Sequence, residues 1–249
     1  MKPTEKRLVE FLLRPESYPH RPRRVKMIQT HASRVFIALP YVYKIKKPVD
    51  FGFLDFSTLA KRRSACEREV ELNRRLAPGV YLGVVPIKRD GEQLQLDGPG
   101  RTVEYAVQMR HLSAGGFLDV RLKRGNLGRR YLNRVAHTLS GFYHAQPSSP
   151  KLDEWGRIDH LRISTDENFA QTERYVGQTL TRVQFAAIRE YTNRFYRQHR
   201  ALFTSRIAGD WIRDCHGDLH LEHIHLTDKA INIYDCIEFN ERFRHIDVA

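Results

Sequence analysis

The sequence predicts an α+β chain: a small antiparallel sheet carrying one helix, then a mostly helical half. Three observations carry this. Residues 25–110 hold short β-branched and aromatic runs broken by turn-prone Gly, Pro and Asp. One long helical pattern interrupts those runs. Beyond Gly115-Gly116, apolar residues recur at the spacing of helix faces rather than strands.

Residues 4–13 read as an amphipathic helix stopped by Pro15 and Pro19. Residues 25–30, 34–39 and 42–46 read as strands. His31-Ala32-Ser33 turns between the first two, Pro40-Tyr41 between the next, and Pro48 closes the third. Alternation puts Tyr43 and Ile45 on one face of the third strand and Val42, Lys44 and Lys46 on the other. Lysines among apolar strand residues either protect a sheet edge or reach for an anion. A helix over about residues 59–76 follows, with Ser57 or Thr58 to cap it. Ala65, Glu69, Leu72 and Leu76 share one face of that helix, so a carboxylate sits in an apolar stripe. Such a Glu is either partly exposed at the stripe edge or buried against a cation, for which a lysine of the third strand is the candidate. Pro78-Gly79 ends the helix, residues 84–87 and 94–96 flank the Asp90-Gly91 hairpin turn, and residues 102–109 form a further strand. Gly115-Gly116 reads as a linker. After it, Leu132, Val135, Leu139 and Phe142, and later Ile188, Tyr191, Phe195 and Leu202, read as core faces of helices.

Composition sets outer bounds. With 41% hydrophobic and 29% charged residues among 249, the chain is expected to fold around a sizeable core. No apolar run approaches the length of a membrane span, and charges inside the apolar part of the N-terminus argue against a signal peptide. Three unpatterned cysteines suit a reducing cytoplasm. The net charge of +13 favours anionic partners. The basic residues are nevertheless spread along the chain and match no reading motif, which argues against nucleic acid as the main partner.

The densest chemistry lies in residues 212–236, IRDCHGDLHLEHIHLTDKAINIYDC. Asp218 follows His216-Gly217, His223 comes five residues later, and Asp235 closes a short strand at 230–234. Two carboxylates delivered by a loop and a strand end, with one further ligand, suit a divalent metal resting on phosphates.

Together, VYKIKKPVDFGFLDFSTLAKRR, EREVELNRRLAPGVYLGVVPI, HGDLHLEHI and YDCIEFN resemble the aminoglycoside phosphotransferase (protein-kinase-like) superfamily. In particular they resemble phosphotransferase-like proteins often fused to a P-loop ATP-binding domain. The resemblance falls within residues 42–87 and 216–240. It implies a bilobal fold, with a nucleotide-binding lobe over residues 1–112 and a helical lobe over 113–249. It also implies transfer of the γ-phosphate of ATP to a hydroxyl of a small-molecule acceptor. Asp218 would orient that hydroxyl and take its proton. Asp235 would bind Mg²⁺, with His223 as a further ligand. Lys44, or Lys46 on the same face, would contact the phosphates and be held by Glu69. Thr30 to Ser33 would cover the phosphates, and Gln108, Met109 and Arg110 would form the hinge at the adenine.

Departures from the superfamily carry their own expectations. His223 stands where Asn is usual, which shifts preference from Mg²⁺ towards Mn²⁺. The phosphate-covering turn lacks glycines. No G-x-x-x-x-G-K-[ST] occurs, so the P-loop partner domain is not in this chain. The chain stops at Asp247-Val248-Ala249 where the family continues with helices, which predicts a fragment with an exposed apolar face. Two other readings compete. One is a metal-dependent hydrolase built on Asp218 with Cys215, His216, His220, His223 and His225. The other is a kinase-like module that binds nucleotide without transferring phosphate.

Overall fold

A computed structural model describes residues 3–248 of the chain. The protein is mixed α+β with a six-stranded antiparallel sheet, and it divides into two compact units. One comprises Met1–Thr138 with Asp218–Glu241, the other Leu139–Gly217 with Arg242–Ala249.

The first unit opens with α1 (Pro3–Leu13), followed by β1 (Lys26–Gln29), β2 (Ser33–Ala38) and β3 (Tyr41–Lys46). Then come α2 (Leu59–Asn73), β4 (Tyr81–Asp90), β5 (Gln93–Leu96) and β6 (Arg101–Arg110). The sheet order is β1-β2-β3-β6-β4-β5, every pairing antiparallel. α1 covers one face: Leu8 and Leu12 pack with Tyr18, Phe36, Tyr43, Ile45 and Ile87. α2 belongs to the other face, where Cys66 and Val70 pack with Tyr81, Val107 and Met109. Strand alternation is the cause, because Tyr43 and Ile45 must point opposite to Lys44 and Lys46. Thr58 caps α2 by accepting from the Lys61 N–H at 3.2 Å. Arg62, buried on α2, donates from Nε to both oxygens of Glu104 on β6 at 2.9 Å.

A short helix, α3 (Leu118–Lys123), and a longer one, α4 (Arg129–Ala145), follow. Val135 and Phe142 of α4 are buried as expected, whereas Leu132 is exposed. Gly115-Gly116 is a packed turn rather than an open linker. The ring of His225 lies where a Cβ on Gly116 would stand.

The second unit holds α5 (Pro150–Asp153), α6 (Ile158–Glu173), α7 (Arg182–Gln198), α8 (Arg200–Ala208) and β7 (Ile212–Asp214). Here the expected helical core does not form. Ile188, Tyr191 and Leu202 are 54%, 60% and 49% exposed, and the helical segment that carries them breaks at His199. Helical spacing identifies an apolar stripe but not what covers it.

In the first unit β8 (Ile224–Leu226) and β9 (Ile231–Ile233) form a hairpin, and in the second β10 (His245–Asp247) pairs with β7. No helix among the described residues is long and apolar enough to cross a membrane.

Candidate functional site

Three hydrogen bonds fix the end of β9 and the residues after it onto α2, the turn that follows α2, and β4. The Ile233 N–H donates to the Leu76 carbonyl at 3.2 Å, and the Cys236 N–H donates to Asn73 Oδ1 at 2.8 Å. Between them the Asp235 N–H donates to the Tyr81 hydroxyl oxygen at 3.2 Å. Asp235 itself sits at φ +62°, a left-handed conformation that costs energy for a residue with a Cβ. The strand end thereby turns its carboxylate towards β3.

There it meets a row of alternating charges. Lys44 Nζ lies 2.5 Å from Asp235 Oδ1 and 2.9 Å from Glu69 Oε1. Lys46 Nζ lies 2.5 Å from Glu69 Oε2 and also pairs with Glu238. The order is Asp235, Lys44, Glu69, Lys46, Glu238. Glu69 is fully buried and its two oxygens are divided between the two lysines, so both candidates on the β3 face bind it. Of the alternatives for Glu69, the buried one holds.

The row is costly to desolvate, and its pKa shifts record how neighbours answer that cost. Burial works against the Lys44 ammonium, but Asp235 and Glu69 outweigh it and hold the group well above the ordinary lysine value. Lys46 is likewise pushed up to about 12: burial opposes its charge, and Glu238 and Glu69 overcome it. Burial raises Asp235 and Glu69, yet the lysines pull both below the ordinary carboxylate value. Glu238 goes the other way. Burial lifts it, Lys46 only partly offsets that, and Glu69 adds repulsion. Fully ionised, the five groups carry three negative charges and two positive, so the row favours a further cation beside it.

A cavity of about 480 Å³ opens along this row. Thr30 and Ser33 of the β1–β2 turn line it, as do Lys44, Lys46, Met109, Arg110, Asp218 and Asp235, with apolar walls from Val42 and Leu112. The turn is held without glycine: the Ser33 N–H donates to Thr30 Oγ1 and the Thr30 N–H to the Ser33 carbonyl, both at 3.0 Å. Gln108 is the exception among the expected hinge residues. β6 pairs it with Tyr43, and its Nε2 donates to the Tyr43 hydroxyl at 2.9 Å on the opposite face of the sheet. Strand alternation turns its side chain away from the cavity.

Asp218 and His223 lie on the loop before β8. Among the described residues, Asp218, His220 and His223 are brought close enough to share an ion, their ligand atoms within 4.8 Å of one another. His223 Nδ1 is 2.8 Å from the Asp218 carbonyl, which can only accept, so that nitrogen carries the proton. In the neutral ring Nε2 then bears the lone pair, and it stands 3.6 Å from Asp235 Oδ2. His225 is turned elsewhere, its Nε2 3.1 Å from the Ser113 carbonyl and its ring against Phe117. Sequence reasoning gave Glu238 no role. The signal was Lys46: a second lysine on the Lys44 face needs a carboxylate of its own.

Fold and site together define a mixed α+β protein with a buried lysine–carboxylate row beside a cavity. Uncharacterized proteins of Mycobacterium bovis (strain AF2122/97) and Mycobacterium tuberculosis (strains CDC 1551 and H37Rv) are each 29% identical to it over 219 residues. That is 88% of this chain and 42% of each relative, so the chain spans less than half the length of these proteins. No protein-family model and no solved structure matches it.

Proposed function

We propose that the chain has a bilobal, protein-kinase-like fold and is an ATP-dependent phosphotransferase acting on a hydroxyl of a small acceptor. The observation that carries the reading is the row from Asp235 through Lys44 to Glu69, beside a cavity whose wall includes Asp218. In this reading Val42, Met109 and Leu112 take the adenine. The Lys44 ammonium, anchored by Glu69, neutralises phosphate oxygens. Asp218 orients the acceptor hydroxyl and receives its proton. The acceptor oxygen bonds to the γ-phosphorus as the bond to the β–γ bridging oxygen breaks, and ADP leaves with that electron pair.

The residues also fit a divalent cation. The Asp235 carboxylate and the lone pair on His223 Nε2 face each other at 3.6 Å, an arrangement that attracts a cation. The mixed oxygen and nitrogen donors favour Mn²⁺ over Mg²⁺. When bound, such an ion neutralises charge developing on the β- and γ-phosphates.

Calorimetric titration of ATP with Mn²⁺, with Mg²⁺ and with chelator, on this chain and on Asp235→Ala, tests the reading. Metal-dependent binding, tighter with Mn²⁺ and weakened at least tenfold in the variant, is the expected result. ATP binding without transfer to any alcohol offered would select the non-catalytic module. No ATP binding by a chain shown to be folded would contradict the proposal.

A further inference from the structure

We infer that Asp218, His220 and His223 form a second metal site, one that takes Zn²⁺ or a similar borderline transition metal and excludes the nucleotide-bound ion. The carboxylate Oδ2 of Asp218 lies 3.8 Å from His220 Nε2 and 3.7 Å from His223 Nδ1. Ligand atoms around a tetrahedral zinc, at bonds of about 2.0–2.1 Å, sit about 3.3 Å apart. Asp218 Oδ2 therefore needs to close on each nitrogen by only a few tenths of an ångström, and one ligand atom from each of the three residues lies within 4.8 Å of the others. They are also held in place. The 3₁₀ turn Leu221–His223 directly follows His220, the His223 N–H donates to the His220 carbonyl at 3.0 Å, and the two rings lie 3.7 Å apart. Two imidazoles and one carboxylate suit zinc far better than magnesium.

His223 faces both sites with different nitrogens, which makes them exclusive. With the proton on Nδ1, donated to the Asp218 carbonyl, Nε2 presents its lone pair to the Asp235 side. A metal at Asp218 and His220 takes Nδ1 instead, and the ring gives up its hydrogen bond to the Asp218 carbonyl to reach it. The proton leaves Nδ1, one is taken up at Nε2, and the ring stays neutral. The new Nε2–H then faces the Asp235 carboxylate at 3.6 Å, the outer partner that metal-bound histidines usually have. The Asp235 site thereby loses its imidazole ligand, and Asp218 is occupied. The second metal would be inhibitory. Only that consequence rests on the proposed nucleotide site; the metal binding stands apart from it.

The test is titration of the full chain with Zn²⁺ by calorimetry and with Co²⁺ by visible absorption, without nucleotide. Melting curves confirm that each variant is folded. One equivalent should bind, with the intense d–d bands of tetrahedral cobalt. His220→Ala should weaken binding at least ~100-fold, whereas Asp235→Asn, an outer partner, should cost about tenfold. No binding by the parent chain, an unchanged His220→Ala, or a larger loss in Asp235→Asn would overturn the inference. Zn²⁺ should also suppress Mn²⁺-dependent ATP binding in the parent chain and not in His220→Ala. Zinc bound through His220 by a chain that never binds ATP would refute the phosphotransferase reading while upholding this site.

Discussion

In the first unit Lys46, Glu69 and Glu238 are packed where apolar side chains ordinarily sit, and Lys44 and Asp235 carry the row out to the cavity. In the second, Ile188, Tyr191 and Leu202 stand exposed along helices whose apolar spacing would ordinarily mark a core. The two regions depart from the burial rule in opposite directions, and the difference lies in the partners. Every charge in the row is answered by an opposite charge within the same unit, so its burial is explained by the structure itself. The apolar stripe of α7 carries no such explanation, and its exposure says nothing about chemistry. A buried polar group marks a built site more reliably than an exposed apolar one does.

The comparison predicts unequal responses to substitution. Lys46→Ala has the largest expected effect, about 3–5 kcal/mol of stability by chemical denaturation, because it leaves Glu69 and Glu238 buried with one cation fewer. The sign with pH follows from the raised folded pKa. The stability contributed by Lys46 is fully present below the ordinary lysine value of 10.5 and is lost as pH rises through about 12. The parent chain should therefore soften between those values, and Lys46→Ala should soften less there. If both lose stability equally across that window, the row is not what holds the unit together in alkali.

Gly116→Ala comes next, at about 1–3 kcal/mol, since the added methyl overlaps the buried His225 ring. A neutral result would mean that the turn is looser than its packing implies. Tyr191→Ser on α7 should change stability by less than about 0.5 kcal/mol. A loss of several kcal/mol there would show that the α7 face is covered after all, and would remove the contrast between the two regions.

Much of this was legible in the sequence. Alternation in residues 42–46 and the helical stripe through Glu69 made a lysine of β3 the candidate partner of that carboxylate, because each element has one fixed period, while the burial of Glu69 stayed open. A cap at Ser57 or Thr58, the Asp90-Gly91 hairpin and the strand before Asp235 were equally local. Glu238 was not legible, since it lies outside any regular element and its partner is distant in sequence. The orientation of Gln108 needed the β3–β6 register, which pairs it with Tyr43 and is set by the fold rather than by either strand alone. The left-handed backbone of Asp235 is likewise imposed by its fixing to Tyr81 and Asn73. For α7 the sequence supported two opposed expectations, a core face and an exposed apolar face, because an apolar stripe does not encode its cover.

The central proposal is that Lys44 of this row receives phosphate. Its most direct test compares ATP and adenosine binding, with Mn²⁺, in the parent chain and in Lys44→Met, with melting curves to verify folding. The account predicts that Lys44→Met loses ATP affinity by at least tenfold while adenosine binding is unchanged, because only the phosphates meet the ammonium. Equal affinity for ATP in the two folded proteins would contradict it, and the row would then be a structural ion-pair network with no ligand.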